Sequence, residues 1–462
     1  MTVTNNLTSA PIPSLIRGIA IPASIGAVFN TLYNIVDSWF AGFISTQALA
    51  ALGLSFPVFF CITAMGMGIA TGSTAILSNA LGAKKQEGVE LLAIQAMTFG
   101  VILSLLLTIL GLLMSPYLFR LLGATDEYLA ISLSYMNIII IGTVLFLGNF
   151  VLNSILQAHG DTKPFRNILI LGFGLNFLFN PMFMFGWLGL PAMGIAGIAF
   201  ATLVIQFMGL IYMIWKVSRL GLFGQGCLRM IAPQKNAFLQ ISKQGFPASV
   251  NTMTVALGIF IITYFVKDFG QAAVAAYGVV QRIEQLMMLP IMGLSVAALA
   301  IVGQNNGAGE YERVKKAIRK TLTYGICFMS IGAAVIFIIP GPLMSFFTED
   351  QSVISVGIVY LRIAAFVSWG YVILSIVIAA LQGMKHPMFA VWIGVYRQII
   401  GAFFIFFVVR GLLDLGIISI WWSIFFLVWS STVIALLYLR RTLRRVMNPK
   451  QLSTSTIKEW VS

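Results

Sequence analysis

The sequence predicts an all-α polytopic membrane protein, with twelve transmembrane helices in two pseudo-symmetric six-helix bundles. Three observations carry that prediction. Only 9% of the side chains are charged while 59% are hydrophobic, whereas about a quarter of a soluble domain is charged. Apolar stretches long enough to cross a bilayer recur along the whole chain. The first half of the chain also reappears, in register, in the second.

A soluble core built from 462 residues still needs a charged shell, and a mean hydropathy of +0.96 leaves too little polar surface to supply one. Stretches bounded by charge, Pro or Gly run over 15–41, 48–80, 90–116, 128–157, 166–186, 191–218, 238–266, 272–304, 317–341, 352–382, 388–410 and 416–439. Each is expected to be a helix, because in hydrocarbon a helix satisfies its backbone N–H and C=O groups within the segment. The first dozen residues are polar and hold no Lys or Arg, so they do not read as a cleavable signal peptide.

The net charge of +14 is distributed by topology. Most of the 28 Lys and Arg fall at the N-terminus, in the even-numbered loops or in the C-terminal tail. Arg120, Lys267 and Arg410 border odd-numbered loops, and Arg282 and Arg362 are read as lying inside spans. By the positive-inside rule both termini are expected in the cytoplasm. The basic excess thus encodes orientation, and no nucleic-acid partner is expected. Cys61, Cys227 and Cys327 are far apart, and the two histidines, His159 and His386, flank loops without cysteine neighbours. Neither a disulfide framework nor a metal site is expected.

A shift of 225 positions lays Ile21-Pro22-Ala23-Ser24 on Phe246-Pro247-Ala248-Ser249, Gly82-Ala83 on Gly307-Ala308, Glu87 on Glu312, Tyr135 on Tyr360 and Gln157 on Gln382. One register serving many landmarks is the mark of duplication. Each half holds an even number of spans, so both enter the membrane from the same side and form a parallel repeat about an axis along the membrane normal. The expected organisation is an N-terminal six-helix bundle over 1–218, a cytoplasmic linker over 219–237, a C-terminal six-helix bundle over 238–440 and a cytoplasmic tail over 441–462. Two bundles able to rock against one another are a plan for alternating access, and transport is the expected activity.

The energy source narrows by elimination. No G-x-x-x-x-G-K-[ST] occurs, and Gly66-Met67-Gly68-Ile69-Ala70-Thr71-Gly72 lies in an apolar span, where glycines allow close helix approach. No soluble segment is long enough for an ATPase domain, so transport is driven by an ion gradient or is passive. No nucleophile, base or metal cluster suggests a membrane-embedded enzyme.

Of the 14 acidic residues only Asp37 and Glu284 fall well inside spans, where a charged carboxylate costs roughly 2.5–3.5 kcal/mol. Asn30, Tyr33, Asn34 and Asp37 recur at spacings of three and four, which places them on one side of the first helix. Pairs four residues apart follow in the same half: Asn149 and Asn153, Asn176 and Asn180, Thr202 and Gln206. The duplicate lacks this pattern, since Ile262 takes the place of Asp37 and Gly401-Ala402-Phe403-Phe404-Ile405 stands where the first half carries Asn176 and Asn180. A scaffold that stands without the polar cluster points to a function for it. A poorly solvated carboxylate among amides and hydroxyls is suited to load and release protons. Glu284 is read with Arg282 and Arg362 as a second-half polar network, in which Arg362 is the expected partner because residues two apart do not share a helix face. Pro22 removes a hydrogen bond about four helical turns before Asp37 in the same span and is the candidate hinge.

At these residues the chain resembles the multidrug and toxic compound extrusion (MATE) family, over nearly its whole length. The resemblance rests on the six-plus-six plan, on Pro22 and Asp37, on Leu156-Gln157-Ala158-His159-Gly160-Asp161-Thr162-Lys163 after the fourth span, and on Gly194-Ile195-Ala196-Gly197-Ile198-Ala199-Phe200-Ala201-Thr202 opening the sixth. It implies a V-shaped monomeric antiporter in a bacterial inner membrane. Such a protein works without a cofactor and expels amphipathic, often cationic, drugs in exchange for protons or sodium. Many relatives carry an acid before the fifth-span proline, but here Asn180 precedes Pro181, and the seventh and tenth spans hold no acid. The chain therefore looks closer to the DNA-damage-inducible F-type subgroup. Asp37, Asn153, Asn176 and Asn180 carry over as the coupling cluster, with Asp37 as its only titratable member, which favours H+ over Na+. The competing reading is a flippase for lipid-linked saccharides, which would need several cavity cations where only Arg282 and Arg362 are candidates.

Overall fold

The computed structural model describes residues 7–222 and 227–447, so the two chain ends and 223–226 of the predicted linker lie outside the described residues. Helices form the spans: α1 (Ile12–Ile44), α2 (Thr46–Gly82), α3 (Gln86–Leu121), α4 (Asp126–Ile141 continued by Thr143–Ala158), α5 (Lys163–Phe185) and α6 (Ile195–Ser218) in the first half. The second half supplies α7 (Lys235–Val266), α8 (Gln271–Gly307), α9 (Tyr311–Ile338), α10 (Gln351–Gly383), α11 (Met388–Leu412) and α12 (Ile417–Met447). No strand occurs among the described residues. The sequence expectation of twelve spans is met by eleven single helices and one broken one. Span α4 bends by 43° between its two segments. The break falls at Gly142, where the side chain of Leu203 on α6 fills the space that a Cβ needs.

The duplication extends to the turns. Lys84 and Gly309, which are repeat mates, both adopt positive φ, 55° and 75°, as do Gly160 and Lys385 at 81° and 65°. In each pair one half kept the glycine that this backbone favours and the other holds it with a lysine.

Contacts group the chain into two units. One is built on Ile21–Val250, the other on Asn251 onward together with the segment ending at Ala20. Each unit thus takes in the opening turns of the helix that continues in the other. In the first unit Gly68 and Gly72 on α2 face Ser249 and Gly245 on α7 so closely that a Cβ on Gly72 would stand 2.6 Å from the Cα of Gly245. Ile241 joins Ile69, Ile76, Ala96 and Val151 in a buried cluster. Gln95 on α3 fixes the stretch of linker ahead of α7, donating to Ala232 O at 2.7 Å and accepting from Gln234 N at 2.9 Å. In the second unit Arg313 and Asn305 do the corresponding work on the chain ahead of α1: Arg313 donates to Ala10 O at 2.8 Å and Asn305 to Leu7 O at 3.0 Å. The switch between units falls beside Pro22 in α1 and Pro247 in α7, both buried.

The centre of the second unit is aromatic. Tyr277 on α8, Tyr360 on α10 and Trp421 on α12 stack with ring centroids 4.2 to 6.1 Å apart. Span α11 departs from α-helical winding over Tyr396–Ile400 and Phe407–Leu412, which are π-helical. One sequence assignment is corrected here: Arg397 also lies inside a span. It is half-buried in the first π segment of α11, its guanidinium 5.2 Å from the Tyr371 ring.

Candidate functional site

Asp37 lies on α1 within the first unit and is 7% exposed. Two amides converge on one of its carboxylate oxygens: Asn176 Nδ2 donates to Oδ1 at 2.8 Å and Asn180 Nδ2 to the same atom at 3.0 Å. The four-residue spacing on α5 places both amides on one side of that helix, one turn apart, so that a single acceptor can serve both. The hydroxyl of Thr202 on α6 reaches Oδ2 at 3.5 Å and itself accepts from Tyr33 Oη at 3.1 Å. Asn176 Nδ2 also lies 3.3 Å from the carbonyl of Tyr33. Three helices therefore close around one carboxylate. With amide hydrogens donated to Asp37, the Oδ1 atoms of Asn176 and Asn180 are buried without a partner.

The residues expected to share this site separate into groups. Asp37, Asn176, Asn180, Thr202 and Tyr33 form one hydrogen-bonded set. Asn149 and Gln206 form a second, in which Asn149 Nδ2 donates to both the backbone and side-chain oxygens of Gln206 at 2.9 Å. Asn153 is buried on α4 with Oδ1 unpartnered, and no hydrogen bond joins it to Asp37. Asn30 and Asn34 are exposed, with Asn34 bonded to the carbonyl of Asn30. The face read at spacings of three and four is about 100° wide here, and packing takes only the Tyr33–Asp37 edge of it. Pro22 sits in an unbroken stretch of α1.

Sequence reasoning missed Tyr135, which packs on α4 against the cluster containing Val36, Phe40 and Met184 and lies within electrostatic reach of Asp37. A signal existed in the repeat, since its mate Tyr360 lies within electrostatic reach of Glu284. Each half thus sets the same tyrosine within electrostatic reach of its own intramembrane acid.

The second-half network differs from the expected one. Arg282 and Arg362 are both exposed, and the structure does not bring either to Glu284. Tyr360 faces the core of its unit, so Arg362, two residues later and about 200° around the helix, faces away. Glu284 instead accepts from Gln281 at 3.3 Å through Oε2, while its Oε1 is buried without a partner. Tyr371 lies within electrostatic reach of both Glu284 and Arg397.

The sequence model of the MatE family matches this chain twice, over residues 22–182 and again, displaced by 225 positions, over 247–407. The chain belongs to the MatE family. It is 25% identical over 368 residues to the probable multidrug resistance protein YoeA of Bacillus subtilis, covering 78% of this chain and 79% of that protein. The probable multidrug resistance protein NorM of Thermotoga maritima is 26% identical over 409 residues, 87% of either chain. A crystal structure of MATE in the bent conformation superposes with a TM-score of 0.91 over 97% of this chain and 99% of that one, at 23% identity. As a MatE protein the chain is a multi-pass membrane transporter with two repeated halves, and not an enzyme.

Proposed function

We propose that this MatE transporter exports amphipathic, cationic small molecules in exchange for protons, with Asp37 as the coupling carboxylate. The observation that carries the reading is the convergence of Asn176, Asn180 and Thr202 on a buried acid. As a carboxylate, Asp37 accepts from all three. As a carboxylic acid it can donate to the Thr202 hydroxyl or to an unpartnered amide oxygen. One cage therefore accommodates both protonation states. Moving one charge through about 100 mV supplies roughly 2.3 kcal/mol, close to a fiftyfold substrate gradient. The multidrug resistance names of the relatives support the substrate class.

In this reading the chain works as a monomer with both termini in the cytoplasm, and the bundles 1–218 and 238–440 move about Pro22 as Asp37 changes state. Placement near the F-type subgroup rests on Asn180 and on the absence of acids in α7 and α10. Sodium is the competing ion, because the free oxygens of Asn176 and Asn180 are of the kind a transporter offers that cation. Proteoliposomes with imposed proton or sodium gradients decide the matter. Drug uptake should follow the proton gradient in the wild type and vanish in Asp37→Asn; equal uptake by both proteins refutes the coupling role, and a sodium requirement replaces the ion.

A further inference from the structure

The two repeats differ sharply in charge where α3 and α9 begin. Glu87 and Val89 fall on Glu312 and Val314, which pins the register. Around them Gly88, Glu90, Leu91, Ile94 and Gln95 are replaced by Arg313, Lys315, Lys316, Arg319 and Lys320. Arg313 is engaged in the bonds to Asn305 and Ala10 described above. The other four are exposed and have no acidic partner among the described residues. Their spacing makes Lys315–Arg319 and Lys316–Lys320 like-charge neighbours one turn apart. Glu312 stands one turn before Lys315 and Lys316 without an ion pair to either, and no acid stands one turn from Arg319 or Lys320 on the helix.

The end of α12, on the same face of the membrane, repeats the pattern with Arg440, Arg441, Arg444 and Arg445, all exposed. The corresponding first-half span, α6, ends with only two cations, Lys216 and Arg219. Those two cations are used internally, since Lys216 Nζ lies 4.8 Å and the Arg219 guanidinium 4.1 Å from the Trp215 ring. The positive-inside rule sets the side on which cations lie and not how many each half carries, so it does not by itself account for their concentration in the second half. Length places the group at headgroup depth. The 28 residues of α9 rise about 42 Å, roughly 12 Å more than the hydrocarbon core, so about eight residues stand outside it; Lys315 and Lys316 fall within that surplus, and Arg319 and Lys320 lie at its edge, where long side chains snorkel to the headgroups.

We propose that Lys315, Lys316, Arg319 and Lys320 on α9, together with the four arginines ending α12, seat anionic phospholipid headgroups of the leaflet on this face. Lysines act as point charges for the phosphodiester and arginines as bidentate donors. An anionic headgroup lying against them relieves the like-charge repulsion within each helix.

The test is lipid retention. Protein taken from mixed phosphatidylglycerol and phosphatidylcholine nanodiscs is analysed by native mass spectrometry, beside K315Q/K316Q/R319Q/K320Q, R440Q/R441Q/R444Q/R445Q and the control K216Q/R219Q. The wild type should retain phosphatidylglycerol at least fivefold over phosphatidylcholine, each quadruple variant should lose most of that preference, and the control should keep it. The wild-type preference should also fall severalfold between low and high salt, a readout that needs no variant to fold. Absence of a wild-type preference, insensitivity to salt, or equal loss in the control overturns the proposal. Displacement of the lipid by millimolar inorganic phosphate overturns it in favour of a free anion site.

Discussion

Asn176 and Asp37 meet side chain to side chain at 2.8 Å although 139 residues separate them in the chain. That contact, with the one from Asn180 at 3.0 Å on the same oxygen, holds a buried carboxylate. The Thr202 contact is longer, at 3.5 Å.

These distances rank the mutants. Removing a donor from a buried charged acceptor costs about 1–3 kcal/mol. Asn176→Ala and Asn180→Ala should each lower gradient-driven uptake about tenfold or more, while Thr202→Val should lower it by less than about threefold. Initial uptake rates in proteoliposomes check the order; Thr202→Val as the most damaging change would refute it.

The α2–α7 contact should tolerate no added methyl group. Gly72→Ala places a Cβ 2.6 Å from the Cα of Gly245, backbone that cannot swing aside as a side chain does. A loss of about 1–3 kcal/mol is expected, as for other overpacked sites. Melting temperature in detergent reads it. Gly53→Ala, where no atom lies within 4 Å of the new Cβ, is the tolerated comparison.

Lys84 holds a positive φ of 55° that its mate Gly309 adopts at 75° without a side chain. The left-handed conformation costs a side-chain-bearing residue about 1–2 kcal/mol, partly offset by the chain entropy that glycine loses. Lys84→Gly should therefore stabilise the protein by up to about 1 kcal/mol, and Lys84→Ala, which keeps the Cβ, should not. Paired thermal melts distinguish them.

Asp350 caps α10, accepting from Ser352 Oγ at 2.6 Å and Ser352 N at 2.8 Å. These bonds hold its carboxyl below the usual carboxylate range. A depressed folded value means that the contribution is present above the unfolded value, about 3.9, and is lost as pH falls through the folded one. Asp350→Ala should be less stable than the wild type at neutral pH, and the gap should close below about pH 4. Melts across pH 3 to 7 test this; a gap that widens on acidification contradicts it.

Much of this was legible in the chain because it follows from short-range periodicity. The twelve spans, the 225-residue register, the glycines of α2 and the amides of α5 are all readable at fixed spacings. The edge of α1 that turns inward was not, since Asn30 and Asn34 are as regularly spaced as Tyr33 and Asp37. Arg397 was overlooked although the span read over 388–410 contains it, and Tyr135 because one tyrosine in an apolar run carries no periodic signal.

The sequence by itself determined the solvent, the number of crossings, the duplication and the single acid well inside a span of the first half, since composition and period depend only on the order of residues. Tertiary structure alone decided which amides reach that acid, that Arg362 turns away from Glu284, and that the openings of α1 and α7 pack with the opposite unit. Those outcomes depend on how helices distant in the chain rotate and close against one another, and no local spacing encodes that rotation.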